Sequence, residues 1–230
     1  MADRPIIFSA PMITALLAGR KTQTRRILKP QPHPRTTQVS VCRDLGMGCG
    51  PSVTGGTSQW DRWQKLRFAV GDRLYVREAW RAPYDLDYRV EELGRPRRPA
   101  EFDPSTTAVE YLADGGRELG GKVRSPLHMP RWASRLTLMV TDIRVERLQD
   151  ISEADAIAEG LIPETCAGQR MWGPGPPHGH FAHPQVAYRM IWEDIHGHGS
   201  WDANPWIVAV TFSVHARNID QRAPIAEAAE

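Results

Sequence analysis

The chain has 230 residues, a formal net charge of +2 and 41% hydrophobic residues, which is enough for a sizeable core. So small a net charge does not require nucleic acid as a partner. Its three cysteines are an odd number at no metal-ligand spacing, which favours a reducing compartment over a disulfide framework. Without a signal-like N-terminus or a bilayer-length apolar run, we expect a cytoplasmic protein with no membrane partner.

The first predicted element is a helix over residues 10–18. Ser9 can cap it, Pro11 lies in the first turn where a missing N–H costs little, and Gly19 can end it. A strand follows from residue 22. Alternation places side chains on opposite faces of that strand: Thr22, Thr24 and Arg26 on one face, and Gln23, Arg25 and Ile27 on the other.

Lys21 lies at the junction of this helix and strand, inside the octapeptide GRKTQTRR at 19–26. A partly desolvated lysine there can approach the Thr24 hydroxyl and act as a base. The same basic residues also fit a solvated helix end that complements the dipole. Both interpretations remain open on local pattern alone.

The rest of the chain alternates predicted elements with long insertions. Proline- and glycine-rich composition predicts insertions near 29–66, 81–130 and 162–183 and a frayed tail over 221–230. Between them the pattern predicts strands over 73–80, 135–148 and 206–212. A turn near Thr141 and Asp142 is expected to interrupt the second of these strands. The pattern also predicts helices over 152–160 and 184–196, the second burying Val186, Met190 and Ile191.

Three loop histidines are the best candidates for metal ligands. His178, His180 and His183 have the spacing H-x-H-x-x-H, but histidines in a loop of this composition are more often solvated. The pair Cys42 and Cys49 is a weaker signal still. The sequence therefore predicts no metal site and no organic cofactor.

Several segments carry a resemblance to a known family, and among them are the opening residues 6–12 and the strand 135–148 that leads into a helix. Gly19, Lys21, Thr24 and Arg26 match the G-x-K-x-x-T-x-R signature of the ASCH domain family, and residues 71–78 resemble its GD-x-L-x-V-R-E strand. The resemblance implies an α+β fold, a PUA-like β-barrel of mixed, largely antiparallel strands with flanking helices. It implies one domain over 1–220, interrupted by the insertions.

Within that family the chain resembles the bacterial N4-acetylcytidine amidohydrolases, which remove an acyl group from a modified nucleoside. The segment 148–153 followed by Glu159 resembles the place of the catalytic glutamate in these enzymes. The resemblance implies that Lys21, Thr24 and Glu159 are catalytic, and that Arg26 binds substrate. Arg77 and Glu78 either line the same pocket or form a structural ion pair. Thr24 attacks the acyl carbonyl in one scheme, and water attacks while Thr24 donates a hydrogen bond in the other.

Two other functions fit the same residues. An RNA-binding ASCH module would use the basic groove without breaking a bond, and an ASCH ribonuclease would cleave RNA there. The insertions distinguish this chain from the compact amidohydrolases. Because they can change the size of the pocket, the preferred acyl group and sugar remain open. The insertions also offer surface for a homodimer.

Overall fold

The structure is a computed structural model, and it describes residues 1–32, 36, 39–42, 52–54, 64–83, 89–90, 95–96, 102–116, 118–175 and 178–221. The predicted tail beyond residue 221, Cys49 and large parts of the insertions near 29–66 and 81–130 lie outside the described residues.

The described chain contains three α-helices and a larger number of short strands. The α-helices are α1 (Ala10–Leu17), α2 (Glu153–Ala158) and α3 (Pro184–His196). The strands are β1 (Asp3–Ile7), β2 (Gln23–Ile27), β3 (Ser40–Cys42), β4 (Ser52–Thr54), β5 (Gln64–Lys65), β6 (Arg73–Arg77), β7 (Trp80–Arg81), β8 (Arg89–Val90), β9 (Arg95–Pro96), β10 (Glu110–Tyr111), β11 (Thr137–Arg147), β12 (Ile162–Cys166), β13 (Gln169–Gly173) and β14 (Trp206–His215). Short 3-10 turns lie at Leu112–Asp114, Pro126–His128, Arg131–Ala133 and Leu148–Asp150.

The main sheet has five strands in the order β1-β6-β11-β14-β2. It is mixed, because β1 runs parallel to β6 whereas β2 runs antiparallel to β14. The smaller pairings, such as β12 with β13, are antiparallel. The expected α+β class with a mixed sheet is therefore confirmed.

The chain divides into two compact units. The first unit holds residues 15–72 and 139–213, and the second holds 2–14, 73–138 and 214 onward. The first is built on a core of apolar and aromatic side chains: Leu148, Ile151, Ala156, Leu161, Trp172, Ala187, Tyr188, Trp192, Ile207 and Ala209. A core in the second is formed by Trp80, Ala82, Phe102, Met129 and Ala133. The expectation of one domain stays a prediction.

The three predicted helices are confirmed within two residues at each end, because their terminal signals act locally. In α2, for example, the Ser152 hydroxyl accepts a hydrogen bond from the Asp155 N–H at 3.1 Å. The predicted burial on α3 is wrong for Val186, which is 41% exposed, whereas Met190 and Ile191 are half-buried. The buried side chains of this helix include Ala187, Tyr188 and Trp192.

Two predictions about strands are wrong. The predicted turn near Thr141 and Asp142 is absent, because β11 continues to Arg147 and pairing such as the Val140 N–H to the Asp72 carbonyl outweighs the local polar residues. The predicted loop over 162–183 contains the hairpin of β12 and β13. Its two-residue turn, Ala167 and Gly168, has positive φ at both positions, as a type I′ turn requires.

None of the described helices combines the length and the hydropathy needed to span a bilayer.

Candidate active site

Lys21 is held by residues at the C-terminal ends of α1 and α2, and all of these residues belong to the first unit. After α1 the chain turns at Gly19, which has a φ of +70°, and the Lys21 N–H donates to the Ala15 carbonyl at 3.1 Å. Lys21 then forms an isolated antiparallel bridge with Glu159, the residue that caps the C-terminus of α2. The adjacent Thr22 N–H donates to the Ala158 carbonyl at 2.9 Å. Two residues 138 positions apart in the sequence are thereby fixed side by side.

The Lys21 ammonium makes two hydrogen bonds to Glu159. Its Nζ lies 2.7 Å from the carboxylate Oε2 and 2.9 Å from the backbone carbonyl of the same residue. Lys21 is only 1% exposed and Glu159 only 6% exposed. An ion pair withdrawn from water to this degree costs desolvation free energy, which only well-placed hydrogen bonds offset.

Gly160 allows this close approach. Its φ is +104°, and a Cβ added there would lie 2.9 Å from the Ala15 Cβ and 3.1 Å from the Lys21 Cβ. Both the backbone conformation and the lack of space therefore require glycine directly after Glu159.

Arg25 is a second buried cation in the same cluster, and sequence reasoning did not select it. Its guanidinium lies 3.3 Å from Glu159 Oε1, 2.9 Å from Glu146 Oε1 and 3.3 Å from Asp155 Oδ2. Gln23 joins the network by donating to Asp155 Oδ1 at 3.0 Å. The acidic partners lie more than 120 residues away, so no local pattern pointed to this role.

The surroundings shift two pKa values in this cluster. Burial lowers the pKa of Lys21, and the charge and hydrogen bond of Glu159 oppose that shift without cancelling it. Burial would raise the pKa of Asp155, but hydrogen bonds from Arg144, Gln23 and Ser152 outweigh it and lower that pKa to about 2. A lysine with a lowered pKa loses its proton more readily than a solvated one.

Tyr188 of α3 is a further member that the sequence did not reveal. It is 3% exposed, and its ring centroid lies 5.9 Å from the Arg25 Cζ. Burial raises its pKa well above the usual value, and so do the charge of Glu159 and a hydrogen bond to it. The phenol therefore remains a proton donor beside the carboxylate.

Thr24 and Arg26 are the second and fourth residues of β2. Thr24 is 3% exposed and faces Val210 of β14 in the register. Strand alternation directs it to the face opposite Gln23 and Arg25. Among the described residues, no hydrogen bond joins Thr24 to Lys21. Burial lowers the pKa of Arg26, and the charge of Glu159 opposes this shift, which places Arg26 within electrostatic reach of the cluster.

Arg77 and Glu78 belong to the second unit, where their hydrogen bonds go to residues of that same unit. Glu78 accepts from Arg135 Nε at 2.9 Å and Nη2 at 3.0 Å, and burial raises its pKa although Arg135 opposes the shift. Arg77 donates to the Tyr75 hydroxyl at 3.2 Å. The ion pair of Glu78 is thus formed with Arg135 rather than with Arg77.

The three loop histidines do not share a site. His178 contacts Asp194, with 2.7 Å between Nε2 and Oδ2, whereas His180 contacts Glu164. His183 is exposed, and its Nδ1 lies 4.0 Å from Glu153 Oε1. Each histidine therefore has a different carboxylate partner.

Comparisons with models of protein families, with curated proteins and with solved structures found no match. The function is therefore argued from the site itself: a buried amine and a carboxylate in direct contact, beside a second carboxylate-bound cation and a neutral phenol.

Proposed function

We propose that the chain is an ASCH-type amidohydrolase with a PUA-like barrel, and that it removes the acyl group from N4-acetylcytidine and related N4-acylated cytosine nucleosides. The proposal combines the resemblance of residues 19–26 and 71–78 with the site of the first unit. Its catalytic residues are Lys21, Thr24 and Glu159.

The contact between Lys21 and Glu159 is the observation that carries the proposal. The resemblance assigns catalysis to this lysine and this glutamate, and their side chains lie 2.7 Å apart although 138 positions separate them. Burial lowers the pKa of Lys21, which favours the neutral amine that a general base needs more than in a solvated lysine. Glu159 then orients that amine.

Amide hydrolysis can proceed here in two ways with the same residues. In one, Lys21 takes the Thr24 hydroxyl proton, Thr24 Oγ1 adds to the acyl carbonyl, and the C–N bond breaks as the Lys21 ammonium passes that proton to N4. Water then hydrolyses the resulting ester and releases the acid. In the other, Lys21 takes a proton from water as that water adds to the acyl carbonyl, and Thr24 donates a hydrogen bond to the developing oxyanion. The C–N bond then breaks as the Lys21 ammonium returns the proton to N4, which releases cytidine and the acid. Neither scheme requires a cofactor.

The burial of the cations argues against an RNA-binding module as the function. Lys21 and Arg25 are 1% and 3% exposed, and both are paired with carboxylates. Contacts to a polynucleotide backbone require cations that can reach phosphates and release counterions. The burial of these two side chains and their pairing with carboxylates support the proposal over the binding module.

Incubation of the purified protein with N4-acetylcytidine tests the proposal. The ultraviolet spectrum should change to that of cytidine, with one equivalent of acetate released. A panel of N4-acetylcytidine, its 5′-monophosphate and an acetylated oligoribonucleotide identifies the preferred form. Fluorescence anisotropy with the unmodified oligoribonucleotide runs in parallel. Binding of that RNA without turnover of any acylated substrate would overturn the proposal in favour of the binding module.

A further inference from the structure

The β12 and β13 hairpin presents two metal-ligating side chains on one face. Glu164 and Cys166 lie two residues apart on β12, so their side chains project to the same side of the hairpin. Both are exposed. Cys166 is a free thiol, and it pairs with Gln169 at the end of the hairpin.

The segment after the hairpin brings a third ligand to that face. Trp172 and Phe181 exchange two backbone hydrogen bonds of 2.8 Å, which fixes residue 180 beside β13. The His180 ring lies where a side chain at position 173 would be. A Cβ added to Gly173 would approach the ring Cδ2 to 2.8 Å and Nε2 to 2.9 Å. The missing side chain at Gly173 therefore permits this ring position, from which His180 contacts Glu164.

We propose that Glu164, Cys166 and His180, here called the hairpin triad, bind a transition-metal ion such as Zn²⁺. Their carboxylate oxygen, thiol sulfur and imidazole nitrogen all lie within 4.8 Å of one another. Ligand atoms around a tetrahedral zinc ion are about 3.3–3.8 Å apart, given bond lengths of roughly 2.0–2.3 Å, so small side-chain rotations would suffice. One nitrogen, one sulfur and one oxygen donor suit zinc or cobalt better than magnesium or calcium. Water would complete the fourth position.

A metal at this site would join the hairpin to the segment that leads into α3. Glu164 and Cys166 belong to β12, whereas His180 lies four residues before Pro184, the first residue of α3. An ion that binds only the folded arrangement would raise the stability of this part of the first unit. None of the three ligands belongs to the proposed catalytic set, so the site is independent of the proposed function.

Titration of the full chain with Zn²⁺ or Co²⁺ alone tests the hairpin triad. The background variant Cys42→Ser with Cys49→Ser removes the other two thiols of the chain, so that any thiolate signal comes from Cys166. Calorimetry should show one equivalent of Zn²⁺ bound. The Co²⁺ complex should show a thiolate-to-metal charge-transfer band in the near ultraviolet.

Single substitutions in that background distinguish ligation from adventitious binding. Cys166→Ala should abolish the charge-transfer band. Cys166→Ala and His180→Ala should each weaken Zn²⁺ binding by at least about a hundredfold. Loss of an outer-shell partner can already cost about that much, and loss of a direct ligand should cost no less. His183→Ala is the matched control, because this exposed histidine lies three residues away and should change neither result. An absence of stoichiometric binding would overturn the proposal. Equal affinity in the Cys166→Ala or His180→Ala variant and the background would also overturn it.

Discussion

Lys21 is costly to bury, and the cost is offset by its hydrogen bonds. Moving an ammonium and a carboxylate out of water costs several kcal/mol per ion, even after relaxation of the protein. Lys21 recovers free energy through two hydrogen bonds to Glu159, and Glu159 gains a further ion pair from Arg25. Removing one partner of such a pair typically costs about 3–5 kcal/mol, because the remaining charge is left uncompensated. Variants of Lys21 must therefore be checked for folding before their rates are compared.

The pH dependence of turnover follows from the lowered pKa of Lys21. Its usual value is 10.5, and burial lowers it despite the opposing charge of Glu159. At any pH below 10.5, the neutral fraction of Lys21 is therefore larger than that of a solvated lysine. We predict that kcat for N4-acetylcytidine rises with pH through an apparent pKa below 10.5. Initial rates across the neutral and alkaline range measure this, and a midpoint at or above that value would contradict the role of a base.

The Thr24 hydroxyl is needed in both schemes of hydrolysis. We predict that Thr24→Ala lowers kcat at least about a hundredfold, as loss of a nucleophile or of an oxyanion donor does. Thr24→Ser keeps a hydroxyl at the same position and should retain most of the activity. Rapid quenching followed by intact-mass measurement separates the schemes, because only attack by Thr24 acetylates the protein. Near wild-type turnover by Thr24→Ala would remove this residue from the site.

At the scale of secondary-structure elements, the sequence predicted what local signals determine. The bounds of α1, α2 and α3 follow from caps and glycines within a few residues of each end, so all three were predicted. The β12 and β13 hairpin was missed because its turn, Ala167 and Gly168, lacks the usual Asn-Gly or Asp-Gly signature. The continuity of β11 was missed because pairing with neighbouring strands determines it.

Position 160, directly after the residue that caps α2, requires glycine. We predict that Gly160→Ala destabilises the protein by at least about 2 kcal/mol, because left-handed strain and overpacking against Ala15 and Lys21 both act. Gly168→Ala is the matched control: its φ is +79°, but nothing lies within 4 Å of an added Cβ. Chemical denaturation measures both variants. If the two substitutions cost the same, close packing at Gly160 would play no part.

At the scale of the whole molecule, the site depends on contacts between distant segments of the first unit. Lys21 and Arg25 come from the N-terminal part of the chain, Glu146, Asp155 and Glu159 from its middle, and Tyr188 from α3. Composition and periodicity do not show which distant residues meet, so Arg25 and Tyr188 were not predicted. Lys21 and Glu159 were selected together only through the family resemblance.

Metal removal should leave hydrolysis unchanged. We predict that prolonged treatment with EDTA does not lower kcat for N4-acetylcytidine, because Lys21, Thr24 and Glu159 perform every proton transfer in the proposed schemes. The rate is measured well below the unfolding temperature, so that loss of an ion from the hairpin triad does not act through unfolding. A loss of activity that Zn²⁺ restores would place a metal in the reaction.

The most direct test of the central claim compares the wild type with Lys21→Met and Lys21→Arg on N4-acetylcytidine. Methionine nearly matches the lysine in size but has no amine, and arginine keeps a positive charge but cannot release a proton near neutral pH. Circular dichroism and thermal unfolding establish that each variant is folded at the assay temperature. The account predicts that the wild type releases cytidine and acetate, and that both folded variants are at least about a hundredfold slower. No turnover by the wild type, or turnover by a folded variant at the wild-type rate, would contradict it.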